Sequence, residues 1–259
     1  MSDELRVERR GAVIVVTIDR QDRMNALSPE VHDGLQALWT SLASEPSVRS
    51  IVITGAGDRA FCTGMDLKAA AERGGPRPVK ADVHEELRLT PLHCDVWLPT
   101  IVAVNGVCTG SGLHFVADAD IVLASATASF LDTHVSVGQV TAIEPITLLP
   151  RIGLGNALRM AVLGRHGRMA ADEALRISLV DEVVEPTQLL DRAVELAELA
   201  ATGSPAAVEA SKRAIRGALE RPMAEAMQRG WELLVAHRGH PDSIEGPKAF
   251  AEKRAAKWQ

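Results

Sequence analysis

The segment 60–67 reads AFCTGMDL, and the segment 105–112 reads NGVCTGSG. Each follows a run of residues typical of a buried strand, Ser50–Thr54 (SIVIT) in the first case and Thr100–Val104 (TIVAV) in the second. In a parallel sheet both segments would lie at the carboxyl edge, where ligands bind. The two segments are therefore the first candidates for a functional site.

Glycines in these segments predict exposed backbone amides. Gly64 permits a sharp turn that presents the N–H of Met65, and the glycine-rich turn around Ser111 leaves the first N–H groups of the next helix unpaired. Two such donors from separate loops make an oxyanion hole, which holds a carbonyl oxygen as it gains charge. Plain structural turns and a phosphate site are the alternatives, although neither GxGxxG nor the Walker ending GK[ST] is met.

The wider pattern predicts an α/β fold. Val13–Ile18 and Ala119–Ala124 read as further strands, and Ser28 followed by Pro29 marks a helix start with Ser28 as N-cap. Helices are also predicted over about 81–96 and from Ser111, with a Gly/Pro-rich loop over 74–78. Later periodic segments predict a helical tail over 156–163, 170–178, 188–201, 205–219, 222–238 and 247–257.

Composition argues against several classes of protein. The 259 residues carry a net charge of −6 with four Phe, four Trp and no Tyr, which disfavours nucleic-acid binding. No apolar run reaches the roughly 18 residues of a membrane helix. Cys62, Cys94 and Cys108 lack C-x-x-C spacing, so neither a disulfide framework nor a zinc site is expected. The N-terminus MSDELRVERR lacks the apolar centre of a signal peptide, and we expect a cytoplasmic protein.

Three segments are informative when they are taken together: AFCTGMDL, PTIVAVNGVCTGSG and ADADIVLAS. They resemble the crotonase family of enoyl-CoA hydratases and isomerases. The resemblance continues through RMNAL, ADEALRISLVDEVV and EGPKAFAEKRAAKW, and so covers nearly the whole chain. It implies a crotonase-type spiral of β-β-α units over residues 1–200 and a C-terminal helical region over 201–259 that builds homotrimers, often paired into hexamers. The implied activity is that of an acyl-CoA-processing lyase or isomerase, as in fatty acid metabolism. No metal is implied, and no cofactor beyond the coenzyme A moiety of the substrate.

The resemblance also assigns binding residues. The two oxyanion donors fall on the backbone N–H groups of Met65 and Ser111. Two segments would line the coenzyme A moiety, and their assigned residues are Arg23, Asn25, Ala26, Cys62, Gly64, Asp66 and Leu67. Lys253 or Arg254 would reach the phosphates, in the same or a neighbouring subunit, with a solvated helix face as the alternative.

Two positions depart from the family pattern. A hydratase of this family uses two glutamates, and the matching positions here hold His114 and His134. An imidazole with a pKa of about 6.5 can act as acid or base at neutral pH. The exchange replaces two anions by neutral or cationic rings, which favours an anionic intermediate.

Glu144, in the sequence TAIEP, is the third candidate catalytic group. Its carboxylate could orient His134 and hold its tautomer, while the alternative is a helix-start glutamate that complements the helix dipole. Asp132 is a second candidate to orient His134, although a turn or a subunit contact is its expected role.

Three functional hypotheses follow. The first is an enzyme that stabilises a thioester enolate between Met65 and Ser111 and moves protons with His114 and His134. The second is a hydrolase of the same fold, which cleaves a β-diketone C–C bond or a thioester with His134 as the base. The third is a non-catalytic oligomer that binds coenzyme A. Family branches that rely on a tyrosine hydroxyl are disfavoured, because the chain contains no Tyr.

Overall fold

The computed structural model describes residues 3–66, 68, 72, 74 and 79–259. Six of its strands are β1 (Leu5–Arg10), β2 (Val13–Ile18), β3 (Ser50–Gly55), β5 (Thr100–Val104), β7 (Ile121–Ser125) and β10 (Glu182–Val184). They form one sheet in the order β1-β2-β3-β5-β7-β10. β1 is antiparallel to β2, and the remaining neighbours are parallel. The buried strands predicted at Val13, Ser50, Thr100 and Ala119 are thus the centre of this sheet.

A smaller sheet lies beside the first. Its strands are β4 (Ala60–Cys62), β6 (Val107–Thr109), β8 (Ser129–Leu131) and β9 (Met169–Ala170), in that order. The pairs β3-β4, β5-β6 and β7-β8 each place one strand in each sheet. The last two pairs are each followed by a helix, which produces the predicted α/β spiral of β-β-α units.

The helices surround these sheets. They are α1 (Pro29–Leu42), α2 (Val83–Glu86), α3 (Gly112–Asp118), α4 (Ile143–Leu163), α5 (Ala171–Arg176), α6 (Leu189–Ala201), α7 (Pro205–Gly217), α8 (Met223–His237) and α9 (Asp242–Ala251). Helix α1 begins at the predicted cap, because the Ser28 hydroxyl accepts a hydrogen bond from the Val31 N–H at 3.2 Å.

The core has two apolar layers, one on each face of the larger sheet. Successive residues of a strand point to opposite faces, so Ile53 enters the layer between the sheets and Val52 enters the layer beneath α6. Both faces of the central strands are therefore covered, which explains why their sequences are continuous apolar runs without alternation.

Two helix predictions are corrected by the structure. The helix predicted over 81–96 is wrong, because only α2 and a short 3-10 turn at Leu92–Cys94 form there. Pro91 interrupts the segment, and the Leu89 carbonyl accepts a hydrogen bond from the Trp39 indole at 2.8 Å. Helix α4 begins at Ile143 and not at residue 156. Of the loop predicted over 74–78, residues 75–78 lie outside the described residues.

The prediction of a purely helical tail is also wrong. β9 and β10 lie within it, and they pair with β8 and β7 respectively. They are two and three residues long, which is too short for an alternating pattern to be recognised in the sequence. The short strands β4 and β6 were missed for the same reason.

Helix α4 is long and apolar, contrary to the expectation that no segment is long enough for a membrane helix. Together with the turn that follows, Ile143–His166 has the length and composition of a membrane span, with a mean hydropathy of 1.2. A single such helix is weak evidence, since core helices pass the same test. Gly153, with φ 71°, breaks the helix, and Leu148, Ile152 and Met160 pack into the core. Of the apolar stretch itself, 22% is buried.

The C-terminal helices bury little of their apolar surface. Helix α7 has no buried residue, and α8 buries only Ala226. Exposed large apolar side chains in this region are Ile215, Leu219, Met223, Met227, Trp231, Leu234, Val235, Ile244 and Phe250. The division into a core over 1–200 and an oligomerisation region over 201–259 stays a prediction.

Candidate active site

The two glycine-containing loops meet at the carboxyl ends of neighbouring parallel strands. β4 pairs with β6, so the turn at Gly64 lies against the turn at Ser111. These strands belong to the smaller sheet, whereas the sequence pattern had pointed to β3 and β5. A Cβ atom on Gly64, which has φ 83°, would lie 3.0 Å from the Ser111 nitrogen. Gly64 is thus required both by the turn and by the close approach.

The backbone amides of Met65 and Ser111 are free to bind a ligand. Among the described residues, neither N–H donates a hydrogen bond. The flanking groups are engaged instead: the Leu27 N–H donates to the Gly64 carbonyl at 2.7 Å, and the Asp66 N–H donates to the Leu27 carbonyl at 3.3 Å. The loop is fixed by its neighbours while the Met65 N–H stays unpaired, as an oxyanion donor requires.

Asp132 holds the imidazole of His134. The carboxylate Oδ1 lies 2.8 Å from Nδ1 and also accepts the His134 backbone N–H at 2.9 Å. The second oxygen accepts from the Thr141 hydroxyl at 2.6 Å. The hydrogen bond with Asp132 raises the pKa of His134 despite partial burial. Burial alone would raise the pKa of Asp132, but the bonds from His134 and Thr141 outweigh it and lower that pKa.

Glu144 lies between the two histidines. Its Oε1 atom is 3.4 Å from His114 Nε2 and 3.8 Å from His134 Nε2. Burial would raise the pKa of this carboxyl, but the contact with His114 and the charge of His134 prevail and lower it. Glu144 is therefore a carboxylate at neutral pH, and it faces the ring nitrogen of His134 that Asp132 leaves open.

His114 is the most buried of the three groups. It lies on α3, one turn after Ser111, with 3% of the residue exposed. Its Nδ1 atom is buried and has no hydrogen-bond partner among the described residues. The ring of His93 packs edge to face against it, with the centroids 5.7 Å apart. The structure thus brings together all three predicted catalytic residues.

The expected roles of the two carboxylates change. Sequence reasoning gave the orienting role mainly to Glu144 and a turn to Asp132, whereas Asp132 contacts His134 Nδ1 and Glu144 is nearer to His114. The sequence did contain a sign of the Asp132 position, because an aspartate side chain commonly accepts the backbone N–H of the residue two positions later. Its side-chain contact with His134 could not be read from that spacing.

Asp132, His134 and Glu144 also place ligand atoms within 4.8 Å of one another, close enough to hold a metal ion. Asp132 and His134 are hydrogen-bonded to each other, and Glu144 Oε1 lies 3.8 Å from His134 Nε2. The expectation that the site uses no metal stays a prediction, and retention of activity in EDTA would test it.

The predicted coenzyme A segment Arg23–Leu27 lies beside the turn at Gly64, where Leu27 pairs with Met65, but several side chains of the two predicted segments point inward. Asn25 donates to the carbonyls of Ala56 and Ala60 at 2.9 and 2.6 Å, and its side-chain oxygen accepts the Arg20 N–H at 2.9 Å. The Cys62 thiol is fully buried, which raises its pKa to about 12. These two residues shape the loop, so a ligand would meet their backbone.

Arg20 organises the same region, and no sequence pattern identified it. Its guanidinium donates to the Ala26 carbonyl at 2.6 Å and contacts Asp66 at 3.3 Å. The Arg23 side chain is 41% exposed, and its Nε atom lies 3.8 Å from Asp22 Oδ2. Leu67 lies outside the described residues.

The two C-terminal cations differ in their contacts. Lys253 is exposed on the turn after α9, and Arg254 forms ion pairs with Glu245 and Glu252. Lys253 is therefore the better candidate of the two for a phosphate contact, and that role stays a prediction.

We expect replacement of Asp132 by Asn to destabilise the protein most near pH 5. The lowered pKa of Asp132 contributes stability above its ordinary value of 3.8, and that contribution is lost as pH falls through the folded-state value. The raised pKa of His134 contributes stability below its ordinary value of 6.5, and that contribution is lost as pH rises through the folded-state value. Urea unfolding at pH 5 and pH 8 measures the difference, with the exposed Asp58→Asn as control. Equal losses at the two pH values would contradict this coupling.

Comparison with known proteins gives the class. The enoyl-CoA hydratase/isomerase family profile matches residues 8–259. The chain is 35% identical over 253 residues to (E)-benzylidenesuccinyl-CoA hydratase of Thauera aromatica, covering 96% of each chain. It is 35% identical over 269 residues to carnitinyl-CoA dehydratase of Escherichia coli K12, covering 100% of this chain and 99% of the relative.

Comparison with solved structures gives the same family. An enoyl-CoA hydratase/isomerase from Mycobacterium paratuberculosis superposes with a TM-score of 0.90 at 36% identity, covering 99% of this chain and 98% of that one. The chain belongs to the enoyl-CoA hydratase/isomerase family. It is an acyl-CoA enzyme of the crotonase fold, which leaves the particular reaction to be inferred from the site.

Proposed function

We propose that the protein adds water to an enoyl-CoA thioester, or removes it in the reverse direction, with histidine and glutamate as the acid and base. The observation that carries the proposal is the row Asp132–His134–Glu144–His114 beside two free backbone amides. A hydratase needs one group to give a proton to Cα and another to take one from water. His134, at one of the two family glutamate positions, supplies the acid, and Glu144 supplies the base. His114, at the other position, orients Glu144.

The thioester oxygen binds the amides of Met65 and Ser111. Charge develops on this oxygen as Cα becomes enolate-like, so the donors stabilise the transition state more than the substrate. The coenzyme A moiety lies along Arg23–Leu27.

Proton transfer divides between His134 and Glu144. His134 in its protonated form donates one N–H to Asp132 and aims the other toward Glu144. Glu144 takes a proton from the water molecule, and the water oxygen attacks Cβ. At the same time His134 gives its Nε2 proton to Cα. His114 contacts the same Glu144 oxygen and orients the carboxylate. Water thus adds as a proton and a hydroxyl, and the acid and base are restored by exchanging one proton.

The assembly is proposed to be a homotrimer or a dimer of trimers in the cytoplasm. The exposed apolar residues of α7, α8 and α9 support this, and so does the outer face of α4, where Leu154 and Val162 are exposed. We propose no cofactor beyond the coenzyme A moiety. Sedimentation would measure the oligomeric state.

A hydrolase is the second candidate, and the Asp132–His134 pair favours it. A histidine whose Nδ1 is held by an aspartate is the arrangement that activates a nucleophile in many hydrolases. In that case His134 would deprotonate water for attack on a carbonyl. Cleavage of a cyclic β-diketone or a β-keto thioester, with no water added to enoyl thioesters, would establish it.

The deciding experiment incubates the protein with a panel of enoyl-, β-keto- and aryl-CoA thioesters and identifies the products by mass. We expect a gain of one water on an enoyl thioester. His114→Ala and His134→Ala are each expected to lower kcat by about 10²-fold. Near-native rates in both variants would overturn the site assignment, and coenzyme A binding without turnover on any thioester would indicate a binding protein.

A further inference from the structure

A second aspartate–histidine pair lies behind the site. Asp118, at the end of α3, has its Oδ2 atom 3.1 Å from His93 Nε2. Thr90 completes the network: its hydroxyl donates to Asp118 at 2.6 Å and accepts the His93 backbone N–H at 3.2 Å, while its own N–H lies 3.4 Å from His93 Nδ1. The network is largely buried, with side-chain exposures of 15% for His93 and 12% for Asp118.

These contacts fix the chemical state of the His93 ring. Because Nδ1 faces an N–H donor, it carries the lone pair, and the ring proton lies on Nε2 toward Asp118. Burial lowers the pKa of His93, Asp118 opposes that shift, and His114 and His84 add to it. His93 is therefore a neutral ring with both nitrogens engaged, and it has no nitrogen left for direct proton transfer.

The same ring contacts His114. The two rings meet edge to face at 70°, with centroids 5.7 Å apart. His114 has a polar contact at Nε2, toward Glu144, and none at Nδ1 among the described residues. Little polar contact therefore defines the orientation of the His114 ring, and the fixed His93 ring lies against it.

We propose that His93 and Asp118 are positioning residues for the active site: Asp118 fixes the His93 ring, and the His93 ring holds the His114 ring with Nε2 toward Glu144. The inference rests on the proposed function for its catalytic meaning but not for its structural test. Ser111, which caps α3, lies on the same face as His114 and Asp118, so the helix links the oxyanion amide to the His114 ring and to Asp118.

Other titratable and charged groups also surround His93 and Asp118, and they affect the titration of His93. Glu144 from α4 faces His114, and His84 from α2 faces His93. Arg216 from α7 donates to the Asp118 carbonyl, and Lys212 from the same helix forms an ion pair with Asp120. None of these groups is altered when Asp118 is replaced by Asn, which preserves shape and removes one charge.

The test follows histidine ring signals by NMR as pH is varied. In Asp118→Asn the titration midpoint of His93 is expected to fall by about half to one pH unit, because the anion beside its ring has been removed. Asp95→Asn is the matched control, since it removes an exposed aspartate two residues from His93 and should leave that midpoint unchanged. An unshifted His93 midpoint in Asp118→Asn would overturn the proposal.

Kinetics on the substrate found in the thioester panel test the positioning role. His93→Ala is expected to lower kcat about tenfold with KM changed less than twofold, and His93→Phe, which restores a ring, should recover most of the loss. Equal kcat losses in the Ala and Phe variants would overturn positioning by the ring. NMR shifts without turnover on any thioester would leave this inference standing and reject the proposed function.

Discussion

Replacing Glu144 by Gln is expected to lower kcat about 10³-fold while KM changes little, within the range for losing a general base. The amide keeps the shape of the carboxylate, so the contact with His114 and the packing of α4 are retained. It cannot accept a proton from water at neutral pH, and the loss therefore falls on the chemical step. Steady-state kinetics on an enoyl-CoA thioester measure it.

The pH profile gives this prediction a second readout. In the native protein kcat/KM should fall at acid pH as Glu144 is protonated, below its ordinary pKa of 4.5, and at basic pH as His134 loses its proton, above 6.5. Glu144→Gln should abolish the acid limb. It should also lower the pKa of His134, because one of the two carboxylates beside the ring has lost its charge.

The exposed Glu30→Gln is the matched control, since it makes the same chemical change on the first turn of α1 and should keep native rates. A Glu144→Gln protein with native kcat would assign the base role elsewhere, and His114 would then be the first candidate. Loss of activity with a large fall in melting temperature would indicate a structural role for Glu144.

The sequence was sufficient for the parts of the site that depend on backbone conformation. Gly64 and Ser111 follow apolar strands, and glycine permits the turn, so the free amides could be predicted from local pattern. The Ser28 cap was predicted for the same reason. Each of these features is set by residues within a few positions of one another.

The contacts between distant side chains could not be predicted in this way. Glu144 reaches both histidines because α4 begins at Ile143, whereas the apolar pattern became regular only after residue 156. Asp118 and His93 meet because the segment after α2 turns at Pro91 and does not continue as a helix. In each case the partner depends on where an element begins or ends, which is the least certain part of a sequence-based prediction.

Replacing Gly64 by Ala is expected to lower kcat by about 10³-fold through the oxyanion site. The new Cβ would lie 3.0 Å from the Ser111 nitrogen, so it would crowd one donor directly. The positive φ of 83° at this position is also strained for alanine, and any relaxation would turn the neighbouring Met65 N–H. Loss of a single oxyanion donor costs about 10²- to 10³-fold, and this substitution disturbs both.

Backbone strain alone must be separated from the loss of the oxyanion site. Gly11→Ala provides the matched control, because Gly11 has φ 61° in the turn between β1 and β2 and its Cβ would meet no atom within 4 Å. Both variants should lose stability by about 1 to 2 kcal/mol, the cost of a left-handed conformation for a residue with a Cβ. Only Gly64→Ala should lose activity, because the thioester oxygen needs the amides of Met65 and Ser111. Equal activity in the two variants would mean that the reacting carbonyl lies elsewhere, and the free N–H groups of Met65 and Ser111 would have to be explained without catalysis.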